Sequence, residues 1–170
     1  MDPKTIKSIA EEVKPLYRYL HAHPEISGEE KETARFLREK LSAMGYDITV
    51  YDNFGLHCDL KGERSGPTVA VRADMDALPI TEATSLPFRS ENPGLMHACG
   101  HDMHMACLLG TALYFSNHRH FPGTLRLIFQ PNEEKDGGAE IMVKEGVMEG
   151  VDHVIGLHVA PELLTGTFGI

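Results

Sequence analysis

The sequence predicts an α/β fold built on a sheet with parallel strands. Three observations carry that prediction: two amphipathic helical stretches lead the chain, the hydrophobic period then changes from helical to alternating, and the second half reads βαβαβ. Strands joined by helical crossovers run parallel and place their carboxyl ends along one rim. In open α/β sheets that rim is where polar groups gather into sites.

The elements follow in order. From Thr5 to about Leu20, Ile6, Ile9, Val13, Leu16, Tyr17 and Leu20 recur at helical spacing behind the start signals Asp2 and Pro3. That helix ends in His21-Ala22-His23-Pro24, since Pro24 biases His23 out of the helical region. Histidines at a helix C-terminus suit the dipole, and metal binding is the alternative reading of this pair. Ser27 and Glu30 have the spacing of a capping box for a second helix, which runs to about Met44 and closes on Gly45.

Strands are expected at Tyr46–Tyr51, Leu56–Leu60 and Pro67–Ala73, with a turn at Glu63–Gly66. The third strand leads directly into Asp74-Met75-Asp76. Ile80 to Met96 reads as a long surface loop, which in a compact domain is usually functional. A buried helix is expected from Met103 to about Asn117, with Cys107 in its core face and His118 and His120 solvated beyond it. Then come a buried strand at Gly123–Gln130, a short helix from Ala139 to about Glu145, a strand at Val151–Val159 carrying His158, and the start of another strand at Thr165–Ile170.

Composition narrows the class of function. The chain has 170 residues, enough for one domain, and 42% hydrophobic with 24% charged residues is ordinary for a globular protein. A formal net charge of -9 disfavours nucleic acid and anionic membrane as partners, because phosphate neutralisation needs a basic face. No apolar run long enough to cross a membrane exists and the first residues lack the apolar centre of a signal peptide, so a cytoplasmic protein is expected. Three cysteines, Cys58, Cys99 and Cys107, do not make a disulfide framework.

The chemistry concentrates in His97-Ala98-Cys99-Gly100-His101-Asp102-Met103-His104. Cys99 and His101 flank a glycine that lets the backbone bend, so a thiolate and an imidazole can address one centre. No second ligand pair of zinc-finger type exists. Taken alone, the stretch also fits a small buried cysteine with histidines solvating a helix start. Asp74 and Asp76, then Glu133 and Glu134, then His158 follow three strands and would meet Cys99 and His101 on one rim of a parallel sheet. A mixed set of soft and hard donors suits zinc or manganese and not calcium. Of two adjacent glutamates, one bound to a dication is locked as the anion, while its free neighbour can carry protons. A solvated acidic turn is the alternative for Glu133-Glu134, against which stands its place after a buried strand and before Gly137-Gly138.

HACGHDMH, RADMDALPI, QPNEEKDGGA, LHAHPE and GLHV, in this order of argument and spread over the chain, resemble the hippurate hydrolase, N-acyl-amino-acid amidohydrolase and indole-acetyl-amino-acid hydrolase group of two-metal aminoacylases. The resemblance implies a three-layer, zinc-peptidase-like catalytic domain with a mostly parallel mixed sheet, incomplete in this chain. It implies two divalent ions, manganese or zinc with cobalt or nickel also compatible, held by Cys99, His101, Glu134 and His158. Glu133 would be the general base and Asp76 the strand-end aspartate that orients a ligand. Asp74 stands where relatives carry a metal-binding histidine, and His104 would orient a ligand or touch substrate. The implied reaction is hydrolysis of the amide bond of N-acyl amino acids, in a parent that forms homo-oligomers. Residues 1–170 would be the N-terminal part of the catalytic domain, with a lid and dimerisation domain and a C-terminal catalytic segment outside it. The sequence departs from the family pattern at Asn132 and at Lys135-Asp136, where relatives have small residues. Two rivals stay open: a non-catalytic metal-binding remnant with an unpaired sheet edge, and a thiol enzyme using Cys99 with a histidine base.

Overall fold

The structure is a computed structural model that describes residues 2–135 and 137–169. Helix α1 spans Pro3–Ala22 and starts on Asp2, whose carboxylate accepts from the N–H groups of Lys4 at 3.1 Å and Thr5 at 3.3 Å. Helix α2 spans Lys31–Ala43. The expected capping box does not form. Ser27 and Glu30 turn away from the helix, and Glu25 takes over, accepting from Glu32 N at 3.1 Å and Thr33 N at 2.7 Å.

The remaining elements are β1 (Ile48–Val50), β2 (Leu56–Lys61), β3 (Arg64–Asp74), α3 (His101–Asn117), β4 (Pro122–Gln130), α4 (Gly138–Lys144) and β5 (His153–Gly156). They form one sheet in the order β1-β2-β4-β3-β5. β3 is parallel to β4 and β5, β2 is antiparallel to β4, and β1 is antiparallel to β2. Only β2 therefore runs against the others, which gives a mixed, mostly parallel sheet in which β3, β4 and β5 are parallel as the βαβαβ order predicts.

Alternation along the strands builds two layers of core. Leu125, Leu127 and Phe129 of β4, with Leu56 and Leu60 of β2, pack against Leu20, Leu37, Leu41, Met105 and Leu109 of α1, α2 and α3. On the other face Ala70 and Ile128 meet Met142 of α4, with Tyr51 and Val147. The sheet thus lies between helical layers, as the three-layer expectation requires.

Several expected boundaries move. β5 is shorter than Val151–Val159 because it pairs with β3 only over residues 69–72, so His158 lies beyond it. Thr165 and Gly166 lie in a turn and residues 167–169 have no regular structure, so no strand forms among the described residues there, and Thr167 N donates to Leu164 O at 3.0 Å. β3 begins at Arg64, inside the expected turn. Cys107 faces outward on α3 and is exposed, not core. The long loop is packed rather than free: a Leu78–Met96 bridge closes its base, and Asn92 Nδ2 donates to Pro24 O at 2.8 Å.

Position of the site follows from the topology. From β3 the chain crosses by α3 to β4 on one side, and from β4 it crosses back by α4 to β5 on the other side. The carboxyl ends of β3, β4 and β5 therefore flank a crevice at the point where strand order reverses.

Candidate metal centre

His101 is the centre of the rim. It is the first residue of α3, follows the left-handed Gly100 (φ 89°), and has no exposed surface. A Cβ at Gly100 would lie 2.5 Å from Val159 Cγ2, so a glycine is required both by φ and by the close approach of the chain after β5. His101 Nδ1 faces the Asp76 carbonyl oxygen at 2.9 Å and Asp76 Oδ1 at 3.2 Å. Both are acceptors, so Nδ1 carries the hydrogen of the neutral ring and Nε2 is the nitrogen open to a cation; burial opposes a second proton, but the hydrogen bond to Asp76 and the charge of Asp74 outweigh it and raise the ring's pKa. Nε2 is buried without a hydrogen-bond partner. It looks onto Asp74 Oδ2 at 3.7 Å, Glu134 Oε1 at 3.8 Å and Glu133 Oε2 at 3.9 Å.

Asp76 organises this arrangement. Its Oδ2 accepts from Ser27 Oγ at 2.7 Å and from Glu134 N at 2.8 Å, and Glu133 N also donates to the carboxylate. Burial opposes its charge, yet these donors and His101 hold its carboxyl far below the usual carboxylate range. One side chain thus fixes both a ring and the peptide carrying the two glutamates.

Cys99 and His158 close the other side. Cys99 Sγ is 3.3 Å from His158 Nε2, while His158 Nδ1 donates to Val159 O at 2.7 Å, which directs the bare Nε2 toward the sulfur. Burial, then the Glu134 carboxylate, push the Cys99 thiol up to about 12. A nucleophilic thiol needs the opposite shift, which counts against the thiol-enzyme reading. A dication would reverse the sign and hold the thiolate.

Asp74 and His104 stand behind. Asp74 accepts from Arg72 Nη1 at 2.7 Å and from His104 Nδ1 at 2.6 Å, and His104 Nε2 accepts from Val159 N at 3.0 Å. Both His104 nitrogens are therefore engaged, and the residue braces the segment that carries His158.

Potential ligand atoms lie within 4.8 Å of one another in three groups: Cys99, His101 and His158; His101, Glu133 and Glu134; and Asp74, His101 and His104. The residues fit a cationic group. Four carboxylates surround His101, Arg72 is paired to one of them, and a bare imidazole nitrogen is buried among them. His21 and His23 belong to none of these groups. His21 instead faces Asp102 Oδ2 at 2.7 Å and Glu82 Oε1 at 3.2 Å, and His23 stacks on Tyr19. His97 is buried with neither ring nitrogen hydrogen-bonded, and burial lowers its pKa to about 4.

Ser27 and Glu30 are site neighbours that sequence reasoning assigned to a helix cap. Glu30 is fully buried and accepts from Asn132 N at 2.6 Å. The signal lay in the spacing, because Glu30 falls on the same stripe as the buried Thr33, Ala34, Leu37 and Leu41. A charged side chain on an apolar stripe has a partner to find.

Known proteins share this arrangement of sequence and fold. An N-acyl-L-amino acid amidohydrolase of Geobacillus stearothermophilus is 48% identical over 177 residues, spanning 100% of this chain and 48% of the relative. An N-acetyl-L-cysteine deacetylase of Bacillus subtilis is 43% identical over 99% of this chain and 41% of its own. A Bacillus subtilis crystal structure described as a dinuclear metal binding peptidase superposes with a TM-score of 0.88 at 42% identity, covering 92% of this chain and 45% of that one. The chain spans less than half the length of these curated relatives. Residues 70–170, more than half of the chain and all of the rim from β3 onward, match the family profile, and the chain belongs to peptidase family M20/M25/M40.

Proposed function

We propose that this chain forms the metal-holding rim of an amidohydrolase that cleaves N-acyl amino acids to a carboxylate and a free amino acid. The observation that carries the reading is the buried, bare Nε2 of His101, fixed in its tautomer by Asp76 and facing carboxylates from two other segments. The names of the amidohydrolase and deacetylase relatives supply the substrate class.

On this reading Cys99, His101, Glu134 and His158 hold two dications, with zinc or manganese suited to the donor set. When bound, such a pair makes water more acidic and polarises the amide carbonyl. Glu133, exposed beside the ligands, takes the proton of the attacking water and returns it to the leaving nitrogen. Asp76 keeps His101 Nε2 bare and Glu133 and Glu134 in place. Asp74 and His104 brace the segment bearing His158. A lid and dimerisation domain and a C-terminal catalytic segment would complete the unit, consistent with the coverage of the relatives, and the parent would be a cytoplasmic homo-oligomer acting on small molecules. No described helix is long and apolar enough to cross a membrane.

The test is a full-length protein carrying these residues, assayed on N-acetyl and N-benzoyl amino acids with added zinc or manganese. Glu133→Gln should lower turnover by about 10²–10⁴-fold while bound metal is unchanged. Turnover at the parental rate would remove Glu133 from its role, and a parent without hydrolysis under any metal would leave a binding remnant.

A further inference from the structure

We propose that Glu30 is a positioning residue for Glu133 and Glu134, acting through the peptide of Asn132. The inference rests on the reading in which those two glutamates serve as base and ligand.

Four observations lead there. Glu30 has no exposed surface, and its Oε1 accepts from Asn132 N at 2.6 Å, across more than a hundred residues of sequence. The carboxylate does not cap α2, whose Glu32 and Thr33 N–H groups go to Glu25, although it also faces the N–H groups of Gly28 and of Glu30 itself. Asn132 has φ of 57°, the left-handed region that asparagine enters more readily than other residues with a Cβ, so the chain turns sharply just before the two glutamates. Finally, the segment 27–30 grips the acidic segment elsewhere too. Ser27 Oγ donates to the Asp76 oxygen that receives Glu134 N, and Lys135 Nζ donates to Ser27 O at 3.3 Å.

The physical consequence is specific. Reversing the direction of the chain at Asn132 decides whether the next two side chains face His101 or solvent. The acceptor that holds that reversal is a buried carboxylate on another element. Burial pushes the Glu30 carboxyl above its ordinary range while the backbone donors pull it back. With Asp76 holding the peptides of Glu133 and Glu134 and Glu30 holding that of Asn132, three successive N–H groups have carboxylate acceptors. The 131–132 peptides have little room to drift in the other direction, since Gly138 already lies against Pro131 O.

The experiment uses the full-length protein with Glu30→Leu, Glu30→Asp and Glu30→Gln. Leu removes the acceptor, Asp withdraws it by one methylene, and Gln keeps an acceptor oxygen in place. Three readouts separate this inference from the reading beneath it: amide hydrogen exchange at 132–134, zinc affinity by chelator competition, and kcat with KM. Exchange needs neither metal nor substrate, so an inactive or metal-free parent would sink the enzyme reading and still test Glu30.

Glu30→Leu and Glu30→Asp should speed exchange at 132–134 with β4 amides unchanged, weaken zinc about 10-fold, and lower kcat by about 10²-fold with KM near parental. Glu30→Gln should restore kcat to within about tenfold of parental, as expected of a retained acceptor. If Leu does not fold, the Asp variant carries the test. Parental exchange at 132–134 in a folded Leu or Asp variant overturns the inference, as does a Gln variant as impaired as Leu.

Discussion

Asp76→Asn is the substitution with the most to say about the rim, because it changes one atom and no volume. The Asp76 carboxylate receives His101 Nδ1 at 3.2 Å on Oδ1, and Ser27 Oγ and Glu134 N at 2.7 and 2.8 Å on Oδ2. An amide has one acceptor oxygen. With that oxygen toward Ser27 and Glu134, its NH₂ meets His101 Nδ1–H. The ring then either keeps its hydrogen on the Asp76 carbonyl oxygen at 2.9 Å and tilts away from the opposed NH₂, or moves the hydrogen to Nε2, and a tilted ring or a protonated Nε2 binds a cation less well. With the oxygen toward His101, Ser27 can rotate to accept, but Glu134 N–H is left against a donor and the acidic segment loosens. Either arrangement leaves one buried donor unmatched, which destabilises by about 1–3 kcal/mol. Either also weakens metal by about 10–100-fold, or about 1.4–2.7 kcal/mol of binding. Zinc competition with a chromophoric chelator and a thermal melt of the metal-free protein measure the two effects separately. Zinc affinity within twofold of parental in a folded Asp76→Asn protein would refute the claim that the Asp76 carboxylate holds His101 in its metal-binding orientation.

Two further outcomes follow from the geometry. Gly138→Ala places a Cβ 1.9 Å from Pro131 O, so the backbone leading to Glu133 must shift. A loss of about 1–3 kcal/mol in denaturant unfolding is expected, together with weaker zinc binding; parental values for both would show that the 131–138 loop absorbs the change. His21 titrates in the opposite sense to an acid-labile carboxylate. Burial opposes its charge, but the hydrogen bonds to Asp102 and Glu82 outweigh that, and its pKa is raised above the ordinary 6.5. Its contribution is therefore complete below about pH 6.5 and fades as pH rises through the folded-state value. Urea unfolding from about pH 6 to pH 9 should show that decline in the parent and a flatter profile in His21→Gln; equal slopes would mean His21 is not charged in the fold.

Much of this architecture is written in local pattern. The switch from helical to alternating period locates the strands, and the βαβαβ order brings Asp74, Glu133 and His158 to one rim before any distance is known. Boundaries fare worse where partners decide them. β5 stops at Gly156, opposite Arg72, although β3 runs on to Asp74, and Thr165 onward has no strand partner among the described residues. Ser27 and Glu30 match a capping box letter for letter, yet tertiary demand overrides the local option: Asp76 and Asn132 claim the two side chains, and Glu25 supplies the cap. His104 shows the same limit. Its place in a ligand-rich string cannot reveal that Asp74 and Val159 occupy both of its nitrogens.

The central claim is that Cys99, His101, Glu134 and His158 grip a pair of cations while Glu133 stays free beside them. Crystals of the full-length protein grown with zinc and measured at its absorption edge test it most directly. The account predicts two anomalous peaks about 3.5–4 Å apart, bounded by Cys99 Sγ, His101 Nε2, Glu134 and His158 Nε2, with Glu133 outside bonding distance of both. A single peak, peaks away from His101 Nε2, or Glu133 bonded to either ion would contradict it.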